Sequence, residues 1–179
     1  MQEAAYFLTL QIVYRVDLFS RRRYRDILAD SLNNCIEHKG MNVFSYVIMT
    51  NHIYMSASDE HKNLRKVLGE MKTHTSKKFI KSIFSEPESR REWMLKLFSH
   101  AAFRHKRNEN DQFRAHENQA EECFSPSFRF QRIKYIHENP VEAEIVAREE
   151  DYLYSSAREC AGLKGHINVR VLILYSLMS

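Results

Sequence analysis

The chain has little glycine, proline or cysteine: its 179 residues include four Gly, three Pro and three Cys. Glycines at 40, 69, 162 and 165 are too scattered to assemble a phosphate-cradling loop or a dinucleotide fingerprint, so nucleotide-driven chemistry loses its usual support. Cys35, Cys123 and Cys160 are odd in number and far apart, which argues against a disulfide framework and against a cysteine-rich zinc site. Reduced thiols are expected. Long apolar runs are missing as well. Val43 to Met49, with Ser45 inside it, falls far short of the roughly 20 residues that a membrane-spanning helix requires, so no membrane partner is expected. The opening Met-Gln-Glu lacks a basic start followed by an apolar run, and the expected compartment is the cytoplasm.

What the chain does contain is apolar material for one buried core, with 44% hydrophobic and 12% aromatic side chains. It reads as a single domain over 1–179, with no internal repeat. Twenty-seven Lys and Arg against twenty-three Asp and Glu leave a formal charge of +4, which permits a polyanionic partner without demanding one.

The segment Tyr6 to Val16 mixes aromatic, β-branched and polar residues as a half-buried strand does. From Ser20, a candidate cap, the residues Tyr24, Ile27, Leu28, Ser31, Leu32, Cys35 and Ile36 recur at helical spacing until Gly40 supplies the stop. Asn42 to Met49 and His52 to Ser58 predict two strands or one long interrupted strand, with a hairpin or kink near Thr50. Leu64, Val67, Leu68, Met71, Phe79, Ile80 and Ile83 predict a second helix, with Lys72, Lys77, Lys78 and Lys81 interspersed. Pro87 breaks the chain before Trp93 to Phe98, and His105 to Gln112 reads as an exposed loop, with a short strand allowed for in this region. Pro126 opens a last helix through Phe128, Ile133 and Ile136, which Asn139-Pro140 is expected to stop. From Val141 onward helical and looped packing is expected. This order predicts an α+β fold, a ferredoxin-like or RRM-like antiparallel sheet with helices packed on it.

Two pairs of residues carry chemical interest. His52 and Tyr54 lie two apart on a strand, so both side chains leave the same face and could hold a cation. A hydrogen-bonded histidine beside a packing tyrosine is the ordinary alternative. Tyr135 and Asn139 lie four apart on the last helix, which puts a phenol and an amide on one face. A packed tyrosine and a helix cap are the ordinary alternative there. His137 points away from Tyr135 and is read as structural or DNA-facing. Three basic groups could neutralise phosphates: Arg21, Arg22, Arg23 and Arg25; Lys72, Lys77, Lys78 and Lys81; and Arg104, Lys106 and Arg107. A solvated helix face is the usual fate of such runs.

The words around the two pairs resemble the HUH-type single-tyrosine transposases, in particular their REP-associated branch. The resemblance lies in Tyr46-Val-Ile-Met-Thr-Asn-His52-Ile-Tyr-Met55, in Tyr135-Ile-His-Glu-Asn-Pro-Val-Glu-Ala143, and in Tyr152-Leu-Tyr-Ser-Ser-Ala157. It spans most of residues 6 to 165. The resemblance implies attack on a phosphodiester of single-stranded, hairpin-bearing DNA by Tyr135, giving a 5′-phosphotyrosine link and a free 3′-hydroxyl. It also implies a divalent ion, Mg²⁺ or Mn²⁺, on His52 and Asn139, and a homodimer whose helix and strand sites come from one protomer or from two. Three departures accompany the likeness. Tyr54 stands where the family has its second metal histidine, and a neutral phenol is a poor cation ligand. Arg114 and Gln119-Ala120 replace family residues in Gln112-Phe-Arg-Ala-His-Glu-Asn-Gln119. Glu144 stands where a glycine is usual. The alternative these departures imply is a hairpin-binding protein derived from such an enzyme that cuts poorly or not at all.

Overall fold

The computed structural model describes residues 5–105, 120–123 and 125–171. Strands β1 (Tyr6–Gln11), β2 (Met41–Ile48), β3 (His52–Asp59) and β4 (Ala120–Glu122) form one antiparallel sheet in the order β2-β3-β1-β4. Helices α1 (Arg22–Lys39), α2 (Leu64–Ser85), α3 (Arg91–His105), α4 (Pro126–Glu142) and the short α5 (Ala157–Cys160) complete the described chain. The sheet order and the helices packed on it make this the expected α+β fold. Among the described residues no helix is long and apolar enough to cross a membrane.

Helix α1 follows from its apolar spacing, because Tyr24, Leu28, Leu32 and Cys35 fall on one buried stripe. It ends where Gly40 takes φ 73° and its N–H reaches the Cys35 carbonyl. That conformation suits glycine, and an added Cβ would also press to 3.0 Å from the His61 ring. Helix α2 buries Val67, Leu68, Met71, Phe79 and Ile83, and the Phe79 ring meets Phe19 and Tyr24 edge-on at 5.8 and 6.0 Å. The two helices pack against each other on the side of the sheet to which Ile53 and Met55 point.

The structure departs from the sequence reading in four places. Strand β1 stops at Gln11 rather than Val16, because its partner β3 begins at His52, opposite Gln11. The chain then turns through Val13–Arg15, with Ile12 N–H donating to the Asn51 carbonyl at 2.9 Å. Ser20 does not cap α1; its hydroxyl donates to the Asp17 carbonyl at 2.7 Å. Trp93 to Phe98, to which the sequence reading assigns no element, lie in the first half of α3. Helix α4 opens as expected, with Pro126 in its first turn and the Ser125 hydroxyl accepting from Phe128 N–H at 3.2 Å, but it runs past Asn139-Pro140 to Glu142. The ring of Pro140 forfeits only its own missing N–H, and its fixed φ suits the final turn. The short strand allowed for ahead of Pro126 is β4, while the loop read beyond His105 and most of the Gln112–Gln119 word lie outside the described residues.

Beyond α4 the chain closes in a hydrogen-bonded stop. Glu144 N–H donates to the Val141 carbonyl and Ile145 N–H to the Pro140 carbonyl, both at 2.9 Å, with Glu144 itself at φ 57°. This paired closure around a left-handed residue is the Schellman arrangement, which favours glycine at that position.

Candidate active site

The pleat of β3 sends His52 and Tyr54 to one face, while Ile53 and Met55 are buried on the other. Helix α4 meets that face. The Tyr135 ring lies 5.2 Å from Tyr54 at 61°, and the two phenols are hydrogen-bonded. Phe7 of β1 stacks on Tyr54 at 5.7 Å and takes the edge of Tyr135 at 6.1 Å, while the His52 ring sits edge-on to Tyr54 at 4.7 Å. Helix residue and strand residues therefore come together within one chain. Tyr135 remains 37% exposed, so its phenol faces both the aromatic floor and solvent.

The placement of α4 depends on its neighbours in the Tyr-Ile-His word. Ile136 is fully buried, and His137 Nε2 bonds to the Ser156 hydroxyl at 2.8 Å. Ser156 also accepts from Tyr46 N–H at 2.9 Å and donates to the Tyr46 carbonyl at 3.3 Å, so the histidine is tied to β2 through one hydroxyl. Its imidazole is pushed down to about 4 by burial and stays neutral at pH 7. His137 is thus structural. The downstream word does related work at the edge of β2: Ser155 bridges to Val47, the Tyr152 hydroxyl donates to the Ile48 carbonyl at 2.7 Å, and the Tyr154 hydroxyl donates to Asp26 at 2.7 Å. This cover removes a sheet edge that would otherwise be open for pairing.

Asn51 fixes the state of His52. Its amide nitrogen faces the Arg15 carbonyl at 3.4 Å and an Asp17 carboxylate oxygen at 3.2 Å, so its oxygen must face His52 Nδ1, 2.8 Å away. Nδ1 then carries the proton, and Nε2, buried and without a hydrogen-bond partner among the described residues, presents a bare lone pair. Burial and, secondly, the charge of Arg15 lower the pKa of His52, which favours the neutral ring. Burial pushes Tyr54 up to about 12, reinforced by the bond to Tyr135 and opposed by Arg15. The Asn139 amide donates to the Tyr135 carbonyl at 3.3 Å, within the helix itself.

This donor set does not fit a divalent ion. The free Nε2 of His52 is a sound ligand, but Tyr54 is a neutral phenol already bonded to Tyr135, and Asn139 offers at most an amide oxygen. Among the described residues no group of three or more His, Cys, Asp and Glu side chains could hold a metal ion. Hard divalent ions favour several oxygen ligands, anionic carboxylates foremost, and among the described residues the site supplies no carboxylate.

The basic groups divide. Arg21 and Arg23 converge on the buried carboxylate of Glu88 at 3.1 and 2.8 Å, Arg22 pairs with Asp26 at 3.4 Å, and the Arg25 guanidinium lies 4.4 Å above the Tyr154 ring. Arg21 and Arg23 are thereby engaged with Glu88, while the Arg22 side chain stays 75% exposed. On α2, Lys77, Lys78 and Lys81 are exposed and Lys72 is half-buried, but this helix lies in the layer on the far side of the sheet from Tyr135. The Arg104 side chain, Lys106 and Arg107 lie outside the described residues. Sequence reading missed Phe7, Arg15, Asn51 and Glu88. Asn51 had a signal in its position beside His52, and Phe7 in sharing a strand face that register alone reveals. Glu88 had none beyond following Pro87.

Comparison with known proteins adds one fold-level finding. No family model matches the chain, and no curated protein matches it. Among solved structures, the chain is similar to a REP-associated tyrosine transposase bound to a REP hairpin, with a TM-score of 0.59 and 14% sequence identity over 97% of this chain and 92% of that one. At that identity the likeness establishes that this chain shares the fold of that transposase.

Proposed function

We propose that the chain binds hairpin-forming single-stranded DNA and that Tyr135 attacks a phosphodiester beside the hairpin. The observation that carries this reading is the meeting of a half-exposed Tyr135 phenol with His52 and Tyr54 inside one chain, in a fold shared with a transposase that holds a hairpin. In the step, the Tyr135 oxygen bonds to phosphorus and the bond from phosphorus to the 3′ oxygen breaks, leaving a 5′-phosphotyrosine and a 3′-hydroxyl. The phenolic proton of the half-exposed Tyr135 passes to solvent, and the departing 3′ oxygen takes up a proton from solvent. The phosphoryl bond is retained for rejoining, so no nucleotide is consumed. The reading needs no second protomer to complete the site.

The test incubates the purified chain with a hairpin carrying a single-stranded flank and resolves covalent protein–DNA product on a denaturing gel. Tyr135→Phe is expected to abolish the adduct while hairpin affinity changes by no more than about twofold, one lost hydroxyl contact. An adduct that survives in Tyr135→Phe removes Tyr135 from the role. A second reading, hairpin binding without cutting, is favoured by Tyr54, whose phenol occupies the nucleophile and spoils the ion site. Tight binding by the unaltered chain with no adduct selects it.

A further inference from the structure

Arg15 sits in a strained turn whose backbone is tied to Asn51, the residue next to His52. Tyr14 and Arg15 are consecutive non-glycine residues with φ 55° and 52°, a conformation that persists only where its surroundings enforce it. The enforcement is visible. Arg15 N–H donates to the Ile12 carbonyl at 2.9 Å, its carbonyl accepts from Asn51, and the Tyr14 hydroxyl bonds to His100 of α3 at 3.1 Å. The same Asn51 amide orients His52, so one side chain aligns the strained turn with the site.

The Arg15 side chain is exposed, and among the described residues it has no carboxylate partner. Its neighbours in the fold are treated differently: Arg21, Arg23 and Arg90 share Glu88, Arg22 has Asp26, and Arg132 pairs with Glu121 while lying 4.8 Å over both Phe7 and Phe128. Arg15 is left bare where both His52 and Tyr54 feel its charge. Attack on a phosphodiester concentrates negative charge on the non-bridging oxygens, and a site without ligands for a divalent ion needs another cation there.

We infer that the Arg15 guanidinium grips the non-bridging oxygens of the phosphate that Tyr135 attacks, supplying the positive charge that a divalent ion would otherwise bring. The planar fork of arginine suits such bidentate contact. The inference rests on the reading of Tyr135 as a nucleophile toward DNA.

A methylphosphonate scan tests it. Hairpin strands carrying one uncharged methylphosphonate at each successive position of the flank are titrated against Tyr135→Phe protein, which binds without cutting. One position is expected to weaken binding about tenfold, the loss of one charge-assisted contact, and adding Arg15→Ala removes that sensitivity. Arg15→Lys retains part of it. In the cutting-competent chain, Arg15→Ala is expected to slow adduct formation about 100-fold on a phosphodiester and to change nothing when that phosphate is a methylphosphonate. Arg15→Gly, which suits the left-handed backbone, must reproduce the Arg15→Ala result; full sensitivity retained in either variant overturns the inference. An adduct formed at the unaltered rate in Arg15→Ala defeats the inference and leaves the nucleophile reading intact. A scan that responds to Arg15 in a chain that never forms an adduct overturns the nucleophile reading and, with it, the inference, leaving Arg15 a binding contact alone. Absence of hairpin binding by the unaltered chain overturns both.

Discussion

Replacing Glu88 by Gln is expected to destabilise the protein far more than a surface substitution does, in a manner that depends on pH. The Glu88 carboxylate is wholly buried, accepts from Arg23, Arg90 and the Tyr24 hydroxyl and pairs with Arg21, joining the start of α1 to the connection between α2 and α3. Burial alone would raise its pKa, but hydrogen bonds from Arg90 and Tyr24 hold it at about 2, against an ordinary value of 4.5. A difference of that size corresponds to about 3 kcal/mol, and since the arginine side chains are 42%, 25% and 27% exposed, about 2 kcal/mol is the realistic loss. With a urea slope of about 2 kcal/mol per molar, the midpoint at pH 7 should fall by about 1 M. Because the folded-state pKa is the depressed one, the stabilisation is complete above about pH 4.5 and is lost as pH falls toward 2. Urea titrations of both proteins at pH 7, 4 and 3 should therefore show the gap closing. A gap that stays constant to pH 3, or a midpoint that does not move at pH 7, refutes the account of the cluster. Arg23→Ala is expected to lower stability rather than hairpin affinity, and the opposite result would return the first basic cluster to the DNA surface.

Two further substitutions probe the departures from the transposase words. Glu144→Gly relieves the φ of 57° at the close of α4, where side chains are strained by about 1 kcal/mol, and should raise the melting temperature by about 3 °C; an unchanged or lower temperature contradicts the strain. Tyr54→His replaces the neutral phenol by an imidazole two residues from the free Nε2 of His52 and should create Mn²⁺ binding measurable by calorimetry. Equal Mn²⁺ affinity in the two proteins would show that Tyr54 is not what spoils the donor set.

The fold was legible wherever a local rule met its tertiary partner. The apolar stripe of α1, its glycine stop, the β2–β3 hairpin and the proline start of α4 follow from spacing and backbone preference alone, and each is observed. The illegible features are those decided by a partner distant in sequence. Strand β1 ends where β3 begins, which its own β-branched residues cannot announce. Pro140 was read as a stop, yet its carbonyl is the acceptor that closes the helix two residues later, so the residue that removes one hydrogen bond secures another. The arginines at 21 and 23 looked like a phosphate surface because nothing in the sequence marks Glu88, 65 and more residues away, as their common acceptor.

The same distinction orders the site. Strand and helix periodicity puts His52 with Tyr54 and Tyr135 with Asn139 on shared faces, and the resemblance to the transposases singles them out, but what they can do is set by residues that neither selects. Asn51 decides which imidazole nitrogen is free, and Tyr54 gives its hydrogen bond to Tyr135 instead of to an ion. On the proposed function, a phosphate attacked by Tyr135 beside a donor set that does not fit a divalent ion calls for a cation from elsewhere. The strained turn after β1 offers Arg15 for that part, its carbonyl tied to the same Asn51 that sets His52. Under that proposal the strain at Tyr14 and Arg15 and the phenol at Tyr54 belong to one electrostatic arrangement, so Arg15→Ala and Tyr54→His should not act independently on adduct formation.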